Sequence, residues 1–262
     1  MNKHPQMIAR KLKPLVDRIH QADRHTRLGR MPPAAESALA HALFRHGEAA
    51  VLLICDSPHR LDALHQDLVT LAGDDAQHLL YYPAWESLPD AQTRPNHDIT
   101  GLRLQVLEAL RRHPVRIVVT CVQALMQQTL DPGQLASLSQ LVNTGDSYDR
   151  DRFVESLIDT GYTFESEVIV KGTASVRGGI IDVWPVTESH PLRLDFFGAE
   201  IDSIRRFEPH TQRSIESIKF VQLPPVTEWD HLDSGRDSTL FHHLDGEATC
   251  LWSDSHNINE HA

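Results

Sequence analysis

The sequence predicts an α/β chain in which a mostly parallel, helix-flanked sheet is followed by a smaller domain of helix and antiparallel strand. Three observations support this. From about residue 34 to 140, apolar stripes at helical spacing alternate with short unbroken apolar runs, as strands covered on both faces require. At Asn143-Thr144-Gly145-Asp146 the pattern changes, and short segments joined by tight turns follow. Pro224-Pro225 then closes the second region, because consecutive prolines stop both helix and ladder.

Taken in order, residues 1–30 hold eight Lys or Arg against Asp17 and Asp23 and read as an amphipathic helix with its basic residues on the wet side. Val51-Leu52-Leu53-Ile54-Cys55 is a buried strand. Asp56-Ser57-Pro58 caps a helix whose stripe is Leu61, Leu64, Leu68 and Leu71. Residues 78–82 form a second strand. Asp98 opens a helix with Ile99, Leu102, Val106 and Leu110 on one face, ending near His113-Pro114. Residues 116–121 are a third strand and 123–130 a short helix. Asp149 caps a helix carrying Phe153, Leu157 and Ile158, stopped by Gly161. Residues 177–208 read as a β-meander, and the apolar stretch Ala248–Trp252 is able to add a strand to the first sheet.

Composition excludes several function classes. A chain of 262 residues suits two modest domains. Cys55, Cys121 and Cys250 lie far apart inside or beside apolar runs and read as small buried core residues of a reducing compartment, with neither zinc spacing nor a disulfide framework. No apolar stretch approaches the roughly 20 residues that span a bilayer, and the start lacks the apolar segment of a secretory signal, so no membrane contact and a cytoplasmic location are expected. The net charge is −11, and beyond residue 30 the chain has 17 basic and 34 acidic residues. Such a body is a poor autonomous nucleic-acid binder, although the basic arm could touch DNA phosphates weakly. The 17 histidines, including His41 and His46, His242 and His243, and His256 and His261, show no H-E-x-x-H or comparable spacing, so no metal site is expected.

Strand and helix alternation near the start raises the question of a phosphate loop. The nearest candidate, residues 28–37, has one glycine, no lysine, and two prolines where N–H donors would be needed. Neither a nucleotide site nor another cofactor is expected. Asp182 and Asp195 form a tempting carboxylate pair, but no nucleophile or base sits at a diagnostic spacing, and they read as salt-bridge partners. No catalytic residue is assigned.

The meander supplies the candidate site. In Leu192-Arg193-Leu194-Asp195-Phe196-Phe197, a period of two puts Leu192, Leu194 and Phe196 on one face and Arg193, Asp195 and Phe197 on the other. If the first set packs a core, an arginine and an exposed phenylalanine share a face, the usual make-up of a protein-interface hot spot. The alternative is a strand buried on both faces.

Four stretches carry a family resemblance: Tyr82-Pro83-Ala84-Trp85-Glu86-Ser87-Leu88-Pro89; His97-Asp98-Ile99 with Arg103-Leu104; Val176-Arg177-Gly178-Gly179-Ile180-Ile181-Asp182-Val183-Trp184-Pro185; and Arg193-Leu194-Asp195-Phe196-Phe197-Gly198-Ala199-Glu200-Ile201-Asp202. In this order they resemble the N-terminal, UvrB-like, UvrA-binding module of the transcription-repair coupling factor (Mfd) family, which is itself similar to the excinuclease subunit UvrB. The resemblance implies a helicase-like first domain interrupted by an inserted smaller α+β domain that binds UvrA. It places the partner-binding residues at Arg177, Arg193 and Phe197. Arg177 also has a plainer reading as a turn residue beside Gly178 and Gly179. The missing phosphate loop at 28–37 resembles Mfd rather than UvrB. The implied layout is a basic arm at 1–30, the helicase-like domain at 31–145, the UvrA-binding domain at 146–224 and an acidic tail at 225–262 returning to the first domain. The expected function is a non-catalytic interaction module of nucleotide excision repair, with RNA polymerase met only through domains absent here. The alternative is the front fragment of an ATP-dependent DNA translocase whose motor is not in this chain.

Overall fold

The computed structural model describes residues 4–21, 26, 28–29, 31–47, 49–86, 96–112, 116–232, 237–244 and 248–253. The helix end expected at His113-Pro114, residues 87–89 of the Trp85 motif, Arg30, His256 and His261 lie outside them.

Helix α1 (His4–Gln21) turns Val16 fully inward with Leu12, Leu15 and Ile19 beside it, while Arg10, Lys11, Lys13 and Arg18 stay exposed. Helix α2 (Pro33–His46) starts on a proline, whose fixed φ suits a first helical position. Strand β1 (Ala50–Cys55) is buried throughout. Helix α3 (Pro58–Ala72) is capped by the Ser57 hydroxyl, which accepts from the Arg60 backbone N–H. Its buried stripe is Leu61, Leu64, Leu68 and Ala72, so the helical step passes over the expected Leu71.

Strand β2 (Leu79–Tyr82), helix α4 (His97–Arg112) and strand β3 (Ile117–Cys121) follow. The helix expected over 123–130 is only five residues long, and a separate helix that the sequence reading does not include follows beyond it. Helix α5 (Val122–Met126) stops where Gln127 turns extended, and helix α6 (Pro132–Leu138) begins under a capping box in which Asp131 accepts from Gly133 and Gln134 N–H groups. Strand β4 (Gln140–Asn143) leads to helix α7 (Arg150–Asp159), capped by Asp149. Phe153 and Leu157 face its core, whereas Ile158 is exposed, contrary to expectation. Gly161 ends the helix region at φ 92°.

Strands β5 (Thr163–Phe164), β6 (Thr173–Arg177), β7 (Ile180–Val183), β8 (Leu192–Phe197), β9 (Glu200–Phe207), β10 (Ser214–Ile218), β11 (Phe220–Leu223) and β12 (Ala248–Trp252) complete the chain. They make the molecule mixed α/β with both parallel and antiparallel sheets. The first sheet runs β12-β1-β3-β2 and is parallel throughout, with Leu52 between Cys250 and Val118. Cys55 and Cys121 are buried as expected, but Cys250 is exposed, because β12 is an edge strand with only one neighbour. Burial pushes the Cys55 thiol up to about 12, the behaviour of an inert core cysteine. The second sheet runs β10-β9-β8-β7-β6-β5 and is antiparallel except for β5 with β6; β4 and β11 form a separate ribbon.

The chain separates into two compact units: residues 1–84, 106–128 and 238–262, and residues 85–105 and 129–237. In the second unit, Arg103 is fully buried, donates to Glu228 at 2.8 Å, and lies 4.3 Å from the Trp85 ring centroid. Glu228 also accepts from the Thr129 hydroxyl. The Arg103 charge is thereby paired and hydrogen-bonded, as a buried guanidinium must be. Among the described residues, no helix is long and apolar enough to cross a membrane.

Helix α4 carries Gly101 against the chain at Val186, where an added Cβ would stand 2.1 Å from the Val186 carbonyl oxygen. In an open helix, Gly→Ala gains about 1 kcal/mol. Here the methyl meets backbone, so Gly101→Ala is expected to lower stability by about 1–3 kcal/mol in urea unfolding, the range of an overpacked core.

Candidate protein-binding face

Strand β8 keeps its period of two along its whole length. Leu192 and Leu194 are buried, and Phe196 meets Phe153 of α7 edge-on with ring centroids 5.9 Å apart. The sheet does contain a bulge here, because the register steps from Asp195↔Ser203 to Phe196↔Ile201. The extra residue is Asp202 on β9, so β8 itself is not re-aimed. Arg193, Asp195 and Phe197 therefore share the face opposite the leucines, and Phe197 is 84% exposed.

Two tight hairpins frame this face. Each has positive φ at its first central residue, Gly178 at 58° between β6 and β7 and Gly198 at 65° between β8 and β9, as a type II′ turn requires. Arg150, the first residue of α7, donates to the Gly178 carbonyl at 2.5 Å and ties the first hairpin tip down. The second tip is held by the Tyr148 N–H on the Ala199 carbonyl and by a bridge between Ser147 and Glu200.

Pairing across the strands puts Ser175, Asp182, Arg193 and Arg205 in one row. Asp182 is the centre of the charge network. Its side chain is 1% exposed and accepts Arg193 Nε at 2.7 Å, Arg193 Nη2 at 2.8 Å and Arg177 Nη2 at 3.3 Å. Arg193 Nη2 also donates to Gln212 Oε1 at 2.9 Å, and the guanidinium lies 4.6 Å from the Phe207 ring centroid. Gln212 holds a left-handed φ of 59° and donates from its amide to the Pro209 carbonyl at 2.7 Å. The hydrogen-bonded Asp182 carboxylate raises the Arg193 pKa above its ordinary value; burial opposes this, and the charges of Asp182 and Asp195 add to it. Arg205 directly opposes Arg193, a like-charge pair that costs stability unless each has its own carboxylate. Asp195 supplies the second one, 2.5 Å from Arg205 Nη2 and accepting the Ser203 hydroxyl at 2.7 Å.

The three residues singled out in the sequence thus meet on one side of one sheet, in different states. Phe197 is free. Arg177, at the end of β6, has a side chain 47% exposed, whereas Arg193 is 18% exposed and committed to an internal fork instead of standing clear for a partner. Sequence reasoning missed Arg205, Gln212 and Arg150 as members. The alternation of β9 signals Arg205; nothing in the sequence signals Gln212. Among the described residues, no group of three His, Cys, Asp or Glu is placed to hold a metal.

Removing the Arg193 fork would leave Asp182 buried with the single 3.3 Å contact to Arg177. Arg193→Ala is therefore expected to destabilise the fold by about 3 kcal/mol, as breaking a buried pair does. Arg177→Ala is expected to cost less than about 1 kcal/mol, since its contact is half in solvent. Chemical denaturation of the two variants side by side checks the ranking.

Residues 141–229, which include this face, match the family model of the UvrB interaction domain. The chain is 29% identical over 217 residues to a transcription-repair-coupling factor of Bacillus subtilis strain 168, covering 82% of this chain and 18% of that relative. It is 35% identical over 202 residues to the one of Myxococcus xanthus, covering 73% and 17%, and 34% identical over 195 residues to that of Mycobacterium bovis, covering 71% and 15%. It spans less than a fifth of the length of these relatives. The chain is thus a relative of the transcription-repair-coupling factors, similar to them over most of its own length and matching the UvrB interaction domain over residues 141–229.

Proposed function

We propose that this chain is a non-catalytic interaction module of nucleotide excision repair that docks on UvrA through the outer face of β8. The observation that carries the reading is the match of residues 141–229 to the UvrB interaction domain, a segment that contains Arg177, Arg193 and Phe197 together. In this reading residues 146–224 act as the UvrA-binding domain, set between a helicase-like stretch at 31–145 and the returning tail at 225–262. The module would work in the cytoplasm. Nucleotide hydrolysis is not assigned to these residues, because 28–37 lacks the glycines and lysine that would cradle a phosphate. Contact with RNA polymerase is not assigned to them either.

The physical case rests on Phe197. Leaving a phenyl ring in water forgoes about 2 kcal/mol of burial that a partner's apolar seat would recover. The ring stands on a strand end fixed by a two-residue turn, so docking orders little chain, and less of the contact energy is lost to entropy. The arginines beside it add charge-assisted contacts and penalise partners that lack acceptors.

Titration calorimetry with purified UvrA tests the reading. Phe197→Ala is expected to weaken binding by about 1–3 kcal/mol, the range of a hot-spot truncation, with thermal unfolding unchanged. Equal affinity for the variant would remove this face from the interface. Failure of the unsubstituted chain to bind would remove UvrA as the partner.

A further inference from the structure

The parallel sheet ends on an open edge strand. Among the described residues, β12 has β1 as its one strand neighbour and follows it in unbroken register from Ala50↔Ala248 to Ile54↔Trp252. The Ser253 N–H donates to the Ile54 carbonyl at 2.8 Å, which fixes the direction of the backbone groups along the strand. In an extended strand the N–H and C=O of successive residues point to opposite sides, so Ser253, Leu251 and Thr249 bond inward to β1. Ala248, Cys250 and Trp252 therefore turn their N–H and C=O groups to the open edge. Cys250 is exposed, and Trp252 is 48% exposed. Open edges are ordinarily blunted by charge, proline or a bulge. Strand β10, at an edge of the second sheet, has two of these, Glu216 at its centre and a register shift between Ser214 and Glu216. Ala248-Thr249-Cys250-Leu251-Trp252 has none of them.

We infer that β12 pairs with β12 of a second copy of this chain, antiparallel about a two-fold axis at Cys250. Antiparallel strands bond where the N–H and C=O groups of opposite residues face each other. With Cys250 opposite Cys250, Ala248 falls opposite Trp252 and Trp252 opposite Ala248, so every outward residue of one strand meets an outward residue of the other. A shift of one residue sets inward-bonded backbone against open groups. A shift of two leaves one outward residue of each strand without a mate. The side chains are self-compatible in the same register, because the large Trp252 ring faces the Ala248 methyl. No residue from 248 to 252 is charged, so the pairing brings no like charges opposite each other, although the chain as a whole carries −11. A second copy supplies this spacing by symmetry, as an isologous contact requires. Five paired residues make a small interface, so the association belongs to the weak, concentration-dependent class.

Sedimentation velocity over a range of protein concentrations, combined with cross-linking by a short bis-maleimide, tests the pairing. Cys55 and Cys121 are fully buried, which leaves Cys250 as the accessible thiol. Opposite residues of a hydrogen-bonded antiparallel pair stand about 5.5 Å apart at Cα, within reach of such a linker. The unsubstituted chain is expected to show a monomer–dimer equilibrium and a cross-linked dimer in proportion to it. Cys250→Glu sets two carboxylates opposite each other on the axis. It is expected to weaken dimerisation about tenfold or more at low salt, with partial recovery at high salt and unchanged thermal unfolding of the dilute protein. Cys250→Ser is expected to keep the dimer and lose the cross-link. A chain that stays monomeric at its highest soluble concentration overturns the pairing. A dimer that survives Cys250→Glu at low salt, or that forms in the unsubstituted chain without cross-linking, overturns this edge and register as its seat.

Discussion

A carboxylate with 1% exposure cannot exist unpaired, and the outer face of the second sheet is organised around satisfying Asp182. Its two oxygens fix the Arg193 guanidinium in a fork, which requires β7 and β8 to hold the register Asp182↔Arg193. A slip of one residue would bring a leucine to the outer face and bury an arginine. Gln212 accepts from Arg193 out of a left-handed backbone that a residue with a Cβ seldom adopts, so the loop after β9 takes some strain to complete the same pairing. The network is therefore more a statement about uniqueness than about raw stability. A well-packed apolar pair in those positions would hold the strands together about as well and would leave the register less defined.

The parallel sheet is subject to a different constraint. β1 pairs with β3 on one side and with β12 on the other, a strand almost 200 positions later. Parallel neighbours cannot be joined by tight turns, so the middle strand of such a sheet has to wait for remote chain. The cost of closing so long a loop grows only slowly with its length, which makes the arrangement thermodynamically cheap although it is slow to form. The hydroxyl of Ser253, just after β12, donates to Glu36 at 2.5 Å and accepts from Arg60 at 2.9 Å, so the last described residue is fastened to α2 and to the start of α3. That site is polar, specific and internal to the first unit.

The elements legible in the sequence are those whose signals are local. β1 and β3 are unbroken apolar runs, buried at every position, and α3 and α7 start where Ser57 and Asp149 cap them, whereas α6 under its Asp131 cap is absent from the sequence reading. Ile158 and Cys250 were misplaced because exposure at a helix flank or an edge strand depends on which neighbour is missing, and sequence does not record that. The ribbon of β4 and β11 is two four-residue strands that find each other across about eighty residues of chain, below the reach of any periodicity. At the site, the side on which Arg193 and Phe197 lie was readable because the bulge falls on β9 and leaves β8 regular. The Asp182 fork was not readable, because residues 184–191 intervene between the strands, and a connection of that length leaves their register open.

Exposed apolar side chains are common on this molecule, and Leu141, Ile158 and Phe220 are each more than half exposed or close to it. Exposure alone therefore does not distinguish Phe197. Its surroundings do. The ring stands at the end of a strand whose alternate residues are locked into the core, next to a turn that only glycine makes without strain, beside a backbone bridge from Ser147 to Glu200. The face behind it carries the paired charges of Asp182, Arg193, Asp195 and Arg205, which an apolar ring lying over them would desolvate without replacing their hydrogen bonds. The ion-pair network thus does two things at once: it fixes the register beneath the ring and makes the charged part of the face an unfavourable resting place for it. An aromatic side chain kept outward in this way is already in the conformation a partner would need, which is the condition under which a small contact area yields useful affinity.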